Sequence, residues 1–341
     1  MADGGEKAGG ARVTIRTVAA DSGVSVAAVS KVLRNAYGVS DALRLKVERS
    51  IEKLGYRPSV AARGMRGQTF TLGVLLVGID NPFLPQIYRG IASVTDLAGY
   101  KVMVGVGAAQ SRTEAQLIEQ MIDNRMDGLI LVAAQMAGDM LEHFARQIPT
   151  VVVGHHDPLA KTFDTINSDD VMGARLAVQA FVARGYRDIA MVALTDPELH
   201  SADVSPQRQK GYLRAMTEAG LADHARIIFA DFDPDVRMTQ LRALLTSANR
   251  PRALFCWSDL DAIPAVNIAH QLGLRVPQDI AVIGYDNSPV AALPLINLAS
   301  VDQDGLRLGR LAAEALLGRI NGRKVAEHIM IAPDLIRRAS L

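Results

Sequence analysis

Residues 23–35 read GVSVAAVSKVLRN, and this stretch decides how the first part of the chain folds. Ser25 stands where a helix N-cap is expected, and an apolar stripe then repeats at helical spacing through Val29, Val32 and Leu33. The opposite face carries small and cationic side chains, namely Val26, Ala27, Ser30, Lys31 and Arg34. A short helix of this kind after a Gly-containing turn predicts the second half of a helix-turn-helix, whose free face suits a DNA groove and its phosphates.

The segments around this stretch complete a small helical headpiece, which we expect to cover residues 13–57. Its helices are predicted near 15–21, 26–33 and 41–54. Residues 1–12 are Gly-rich and polar, which predicts a disordered tail. Residues 58–70 begin with a proline that disfavours helix at the residue before it, and we interpret them as a connector with a short Ala-rich helix.

The charge distribution separates this headpiece from the rest of the chain. Residues 1–68 hold twelve Lys and Arg against six Asp and Glu, a net charge of +6, whereas the remaining residues carry −5. A basic headpiece attracts the phosphate polyanion, and an acidic body limits adhesion elsewhere. The overall charge of +1 therefore conceals a distribution that favours nucleic-acid binding at one end.

Length and composition indicate a globular protein of the cytoplasm. The 341 residues suffice for two or three folding units, and 49% hydrophobic residues can form a sizeable core. Cys256 is the single cysteine, which excludes an internal disulfide framework and a multi-cysteine zinc site. No apolar run approaches the roughly 18 residues of a membrane span, and the N-terminus lacks a secretory apolar core. We expect no cofactor, no metal and no membrane partner.

From residue 71 onward, short β runs alternate with amphipathic helices, a pattern that predicts parallel sheets with crossover helices. Strands are predicted at 72–77, 102–106, 128–132, 150–153, 189–194, 226–229, 253–256 and 280–285. Helices are predicted near 85–98, 112–124, 169–184, 207–219, 236–247 and 260–272. Ser111 and Glu114 could form a capping box at the start of the second of these helices. The pattern predicts two consecutive α/β lobes that divide near Asn167.

Taken together, these features resemble the LacI/GalR family of bacterial transcriptional regulators, from about Val13 to the C-terminus. The stretches that carry the resemblance include VTIRTVAADSGVSVAAVSKVLRN, EKLGYRPSVAARGM, GVLLVGIDNPFLPQIYRGI, DGLILV, QRQKGYLRAM, IAVIGYDNS and LASVDQ. The resemblance implies an all-α helix-turn-helix headpiece followed by a periplasmic-binding-protein-like core of two doubly wound parallel-sheet lobes. The N-lobe would hold residues 71–167 and 302–331, and the C-lobe residues 168–301 and 332–341.

For the headpiece, the resemblance implies a dimer bound to a pseudo-palindromic double-stranded operator, with each recognition helix in a major groove. Val26 and Ala27 match positions that read bases, and both can contact a thymine methyl or a base edge. Positions suited to phosphate are Ser25, Ser30, Lys31, Arg34 and Tyr56. Arg16 stands where the family often has Tyr, and its charge could serve the same phosphate-facing role.

The resemblance also implies that residues 59–65 form a hinge helix that folds when two copies meet on DNA. Met65 takes the position of the apolar wedge in the minor groove, and Ala62 the position that packs into the groove. Gly64 lowers the helix propensity by up to about 1 kcal/mol relative to Ala. We therefore expect this hinge to be disordered in the absence of DNA.

For the core, the resemblance implies two lobes that close over a small molecule, with pocket residues at strand ends. Arg208 matches the family's effector-binding arginine, and Asp286 could accept from two sugar hydroxyls or could cap a turn. Phe83 could stack on a sugar ring or fill the core. Further candidates are His155, Asn167, Trp257 and Ser258.

The chemical class of the effector stays open at this stage. A sugar or sugar acid is expected, and Arg208, His155 and Lys210 would favour a sugar acid. A purine or another metabolite is the alternative. Asp259 and Asp261 are expected to cap a helix N-terminus rather than to bind a metal.

The competing class is an enzyme on the same α/β scaffold. Its best signal is the Gly-rich stretch 105–110, which ends in Gln where a dinucleotide loop has its third Gly, and phosphate-loop and nucleophile-elbow motifs are missing. A secreted binding protein would need a signal peptide. We therefore predict no enzymatic activity. The chain ends at Leu341 without a C-terminal heptad helix, so we expect a homodimer rather than a tetramer.

Overall fold

The computed structural model describes residues 13–33, 37–56, 67–194, 202–231 and 233–341. It divides into two compact units, Met1–Thr69 and Phe70–Leu341. The predicted tail and most of the predicted connector lie outside the described residues.

The described part of the first unit contains three helices: α1 (Ile15–Asp21), α2 (Val26–Leu33) and α3 (Asp41–Leu54). Thr14 and Thr17 form a reciprocal capping box that fixes the start of α1. The left-handed Gly55, with φ of 62°, ends α3. The core of the unit lies where the three helices meet, and its fully buried side chains are Val18, Val29 and Val47.

A buried hydroxyl and an ion pair join the end of α1 to α3. Asp21 accepts from Ser50 Oγ and from Lys53 Nζ, each at 2.7 Å. The hydrogen bond from Lys53, followed by that from Ser50, lowers the pKa of Asp21. These contacts tie the C-terminal end of α1 to α3.

The first lobe of the second unit is a six-stranded sheet with strand order β11-β5-β4-β3-β1-β2. All of its strand pairs are parallel. The strands are β1 (Thr71–Leu76), β2 (Lys101–Val106), β3 (Gly128–Val132), β4 (Thr150–Val153), β5 (Asp164–Ser168) and β11 (His328–Ile331). Its helices are α4 (Leu84–Thr95), α5 (Ser111–Asp123), α6 (Gly138–Ala145) and α11 (Gly305–Ile320). Leu72 and Val74 face α4 and α11, whereas Leu75 faces α5 and α6, so both faces of the sheet are buried.

The second lobe repeats this architecture with strand order β12-β10-β9-β8-β6-β7, and only the short β12 is antiparallel to its neighbour. The strands are β6 (Ile189–Leu194), β7 (Arg226–Ala230), β8 (Ala253–Cys256), β9 (Ala281–Tyr285), β10 (Ala299–Asp302) and β12 (Asp334–Ile336). Its helices are α7 (Asp170–Ala183), α8 (Val204–Glu218), α9 (Pro234–Thr246) and α10 (Asp259–Gln271). The predicted fold class, helical headpiece plus two doubly wound lobes, is confirmed.

The chain passes between the two sheets three times, after β5, after β10 and after β11. These passages use elements that the apolar pattern did not predict. The pattern missed α6, β5, β10, α11, β11 and β12. The strands among them are short and interrupted by polar residues, and α11 contains three glycines, which lower helix propensity.

Helices α4 and α11 approach so closely that glycines are required at the crossing. A Cβ on Gly90 would lie 2.1 Å from the Leu306 carbonyl oxygen, and one on Gly309 would lie 1.9 Å from the Ile87 carbonyl oxygen. Backbone atoms cannot give way as a flexible side chain can. The two helices therefore pack with their backbones in contact.

Cys256 ends strand β8 and is completely buried in the second lobe. Burial raises the pKa of its thiol well above the usual value, and the nearby Asp261 and Asp259 act in the same direction.

None of the helices among the described residues has the length and apolar character that a membrane crossing requires.

Candidate functional site

A cavity of about 700 Å³ lies between the two lobes of the second unit. The carboxyl ends of parallel strands from both sheets supply its walls, as expected for ligand sites in open α/β folds. The first lobe contributes the ends of β3 and β5 through Val132 and Ser168. The second lobe contributes Leu194, Trp257 and Asp286, which end or directly follow β6, β8 and β9.

Strained backbone is concentrated around this cavity. Four non-glycine lining residues have positive φ: Ala108 at 53°, Ala109 at 52°, Ala133 at 53° and Asp286 at 100°. Such conformations cost free energy and persist only where the surrounding structure enforces them, often at functional sites. The surrounding structure therefore holds these four parts of the cavity wall in conformations that they would not adopt readily on their own.

Four of the seven effector-binding candidates line the cavity, namely Phe83, Arg208, Trp257 and Asp286. His155, Asn167 and Ser258 do not. Asn167 is buried and donates to the His155 carbonyl oxygen at 2.9 Å. Ser258 is the N-cap of α10, with its Oγ accepting from the Leu260 amide at 2.9 Å. His155 lies beside Asp203, with Nδ1 and Oδ1 3.5 Å apart.

Arg208 and Asp170 form a buried ion pair at the centre of the site. Arg208 Nε donates to Asp170 Oδ1 at 2.6 Å, and Nη1 donates to the Trp257 carbonyl oxygen. The guanidinium carbon lies 3.6 Å from the centroid of the Tyr285 ring. Burial by itself would raise the pKa of Asp170, but the charge of Arg208 and the hydrogen bond with His156 lower it. Asp170 therefore stays ionised and holds Arg208 in place.

Asp286 connects the second lobe to two amide side chains. Its Oδ2 accepts from Asn81 Nδ2 at 2.9 Å, and its Oδ1 accepts from Gln303 Nε2 at 2.7 Å. Asn81 follows β1 of the first lobe, and Gln303 lies on a passage between the lobes. Burial raises the pKa of Asp286 to about 7, against the opposing charge of Arg208. A carboxylate in this position can accept from ligand hydroxyl or N–H groups.

Sequence reasoning missed several cavity residues. Four residues that line the cavity are absent from the predicted set: Asn81, Asp170, Arg237 and Gln303. The histidine that pairs with Asp170, at 2.8 Å, is His156 and not the predicted His155. Their common signal is position: each stands near a strand end or a helix start that faces the other sheet. This signal becomes readable only when the strand order is known.

Asp259 and Asp261 do not cap α10, so that expectation is wrong. Asp259 accepts from the Ser288 amide and from Ser300 Oγ, both at 2.7 Å, and ties β10 to α10. Asp261 forms an ion pair with Arg237 at 2.9 Å. Within the described ranges, no group of three or more His, Cys, Asp or Glu side chains is arranged to hold a metal ion.

The ligand-free protein should lose stability as the pH rises from 5 to 8. Burial raises the pKa of Asp286 to about 7 and the pKa values of Asp259 and Asp261 to about 6, against 3.8 for an unperturbed carboxyl. A carboxyl group whose pKa is higher in the folded than in the unfolded protein stabilises the folded state. This stabilisation is complete at pH values below the pKa of the unfolded state, and it is lost as the pH rises through the pKa of the folded state. The lowered pKa values of Asp170 and Asp279 act below this window.

Urea unfolding at four pH values between 5 and 8 measures this dependence. The slope should decrease in an Asp286→Asn variant, because one of the three titrating groups is removed. Stability that is flat or rises over this range in the wild-type protein would contradict the prediction.

The headpiece presents part of the predicted DNA-binding set on its surface. Arg16, Ser25, Val26, Ala27 and Lys31 are exposed, and Ser25 Oγ accepts from the Ala28 amide at 3.1 Å as the N-cap of α2. Two further candidates, Ser30 and Tyr56, are buried to 8% exposure because they face the core of the headpiece. The candidates Arg34, Ala62 and Met65 lie outside the described residues.

Two family models match the chain in the order of its two units. The model for bacterial regulatory proteins of the lacI family matches residues 14–59. The model for a periplasmic binding protein-like domain matches residues 178–341. The first match covers the headpiece, and the second covers most of the second lobe.

Full-length relatives are similar over almost the whole chain. The HTH-type transcriptional repressor PurR of Erwinia tasmaniensis is 33% identical, with 96% of each chain covered. Catabolite control protein A of Priestia megaterium is 30% identical, with 95% of this chain and 97% of the relative covered. The ribose operon repressor of Haemophilus influenzae is 29% identical over 96% of this chain and 98% of its own.

Solved structures agree with these relatives. The lac repressor dimer bound to operator and an anti-inducer has a TM-score of 0.82 and 25% identity, covering 96% of this chain and 98% of its own. The complex of the transcriptional regulator CelR with cellobiose has a TM-score of 0.70 and 27% identity, covering 97% and 100%. The family models, the full-length relatives and the solved structures all indicate the same family. The chain belongs to the LacI family of bacterial transcriptional regulators.

Proposed function

We propose that the protein is a repressor that binds a pseudo-palindromic operator as a homodimer and is controlled by a small molecule in the cavity between its lobes. The observation that carries this proposal is the cavity itself, where strand ends of both sheets and the Asp170–Arg208–Asp286 group converge. A ligand in such a site contacts both lobes and can bias their arrangement.

On the DNA side, we propose that the exposed start of α2 enters the major groove. Val26 and Ala27 would contact base edges, and Arg16, Ser25 and Lys31 would contact phosphates. Ser30 and Tyr56 are each only 8% exposed, so we assign them at most a minor part in phosphate contact. The roles of Arg34, Ala62 and Met65 stay as proposed from the family resemblance.

For the effector, we propose a sugar or sugar acid, with a purine as the alternative. The ribose operon repressor and the CelR–cellobiose complex support a sugar. The repressor PurR supports a purine. Phe83 and Trp257 offer apolar rings to either kind of ligand, and Asp286 offers an acceptor to hydroxyl or N–H groups.

For the dimer, we propose that the edge strand β2 contributes to the contact between two copies. Met103, Val104 and Val106 on this strand are 52%, 46% and 37% exposed. An edge strand with exposed apolar side chains is suited to cover by another chain. The ligand would act by changing the arrangement of lobes in this dimer, with a coupling free energy of about 1–3 kcal/mol. The site of action would be the cytoplasm, on the nucleoid.

One experiment tests operator binding and effector control together. Genomic fragments selected by the purified full-length protein should share an inverted repeat that the protein protects in footprinting. Compounds that raise the melting temperature should change the affinity for that repeat by about fivefold or more. A protein that selects no common sequence, with or without such compounds, would contradict the proposal.

A further inference from the structure

Arg237 is a second guanidinium in the cavity wall, in addition to Arg208. It lies in the first turn of α9 and lines the cavity together with Asp233 and Pro234. Its Nε is 2.9 Å from Oδ1 of Asp261, whose side chain is fully buried, while Arg237 itself is 16% exposed. This ion pair places the guanidinium of Arg237 beside a buried carboxylate in the cavity wall.

The two guanidiniums differ in how far their donors are already used. Arg208 is engaged by Asp170, by the Trp257 carbonyl and, on one face, by the Tyr285 ring. For Arg237, Asp261 is the single partner found in the part of the chain that the structure describes. The Nη1 and Nη2 groups of Arg237 therefore retain donor hydrogens that a ligand acceptor atom can receive.

The charge of the cavity wall indicates whether this acceptor atom belongs to an anionic or to a neutral ligand. Among the described lining residues, five are aspartates, namely Asp80, Asp170, Asp203, Asp233 and Asp286, and two are arginines. The cations that would favour an acidic ligand are fewer than the sequence predicted, because Lys210 is exposed and neither Lys210 nor His155 lines the cavity. When the Asp170–Arg208 ion pair is set aside, an anion placed here still meets more carboxyl groups than guanidinium groups, whereas hydroxyl and N–H groups find acceptors.

We propose that the effector is an electrically neutral molecule and that Arg237 donates hydrogen bonds to one of its acceptor atoms. The proposal rests on the cavity being the effector site. It narrows the effector to neutral sugars and neutral nucleobases or nucleosides, and it excludes sugar acids and phosphorylated sugars. It also makes Arg237 a residue that determines which member of the neutral class is bound.

Charge-matched pairs of probes test the first half of the proposal. We suggest D-ribose against D-ribose 5-phosphate, D-glucose against D-gluconate, cellobiose against cellobionate, and guanosine against guanosine 5′-monophosphate, each titrated calorimetrically into the full-length protein. The tightest probe should be neutral, and its anionic counterpart should bind at least about tenfold more weakly. An anionic counterpart that binds equally well or better overturns the proposal.

Two variants on the same helix test the second half. Arg237→Gln should weaken binding of the tightest neutral probe by about tenfold or more, since a charge-assisted hydrogen bond is lost. Arg242→Gln is the matched control, because Arg242 is exposed on α9, pairs with Gln271 and does not line the cavity. Equal effects of the two variants would overturn the role of Arg237.

Arg237→Gln alone leaves the buried carboxylate of Asp261 without its ion-pair partner and could destabilise the protein. The double variant Arg237→Gln with Asp261→Asn removes this carboxylate charge as well. It should fold and show the same loss of affinity. The loss of affinity caused by Arg237→Gln should be smaller for a deoxy analogue of the probe that lacks the oxygen contacted by Arg237. If Arg237 had only a structural role, the variant would weaken the binding of both compounds equally. A probe that binds undisturbed by both Arg237→Gln and Asp286→Asn would instead lie outside the cavity and contradict the proposed effector site.

Discussion

Replacing Gly309 by alanine should lower the free energy of unfolding of the core by about 3 kcal/mol or more. The added Cβ would lie 1.9 Å from the Ile87 carbonyl oxygen and 3.0 Å from the Ile91 amide nitrogen, so one of the two helices must move. In an ordinary helix the same substitution stabilises by up to about 1 kcal/mol, so the sign itself is diagnostic. Urea unfolding of the wild-type and variant proteins measures the difference.

Gly318→Ala is the matched control in the same helix. The nearest atoms to its Cβ would belong to the Arg323 side chain, with Nε at 3.2 Å, and not to the backbone of another helix. Because the Arg323 guanidinium is paired with Asp164, we expect a change of at most about 1 kcal/mol in the free energy of unfolding. If Gly309→Ala behaved like this control, the close crossing of α4 and α11 would be wrong.

Replacing Val29 by aspartate should reduce operator affinity by a factor of at least about one hundred while leaving the core folded. Val29 is fully buried where the three helices of the headpiece meet, and an unpaired carboxylate there costs several kcal/mol. A unit this small has little stability in reserve. Electrophoretic mobility shift with the selected operator measures the affinity, and thermal unfolding of the core measures its integrity.

Lys31→Ala provides the comparison for this variant. Lys31 is exposed on the same helix, and its removal should weaken binding modestly and reduce the salt dependence by about one ion. Undiminished affinity of the Val29→Asp protein would show that α2 is not the recognition element.

The sequence predicted the headpiece and the alternation of strands and helices, because both depend on local patterns. Ser25 caps the start of α2, Ser40 caps the start of α3 by accepting from the Leu43 amide, and Gly55 ends α3. The elements that complete the sheets escaped the pattern. Strand β5 reads DTINS, and its residues are buried by neighbours on both faces rather than by their own hydrophobicity.

Long-range partners also decided what sequence reasoning could say about the site. Arg208 and Asp286 could be placed from the family resemblance, whereas Asp170 and Arg237 derive their roles from partners 38 and 24 positions away in the chain. Ser111 and Glu114 show the same limit. Instead of the expected capping box, Ser111 Oγ donates to the Gln135 carbonyl and Glu114 accepts from the Gln135 amide.

The inertness of Cys256 has a practical consequence for spectroscopy. Because this thiol is inaccessible and resists ionisation, it should remain unmodified when maleimide dyes react with a cysteine introduced at a solvent-facing position. One engineered cysteine on each lobe, at exposed Leu97 and Leu213 for example, would then accept a donor and acceptor pair without prior removal of the native residue. Energy transfer between the two dyes would report opening and closing of the lobes in otherwise unaltered protein.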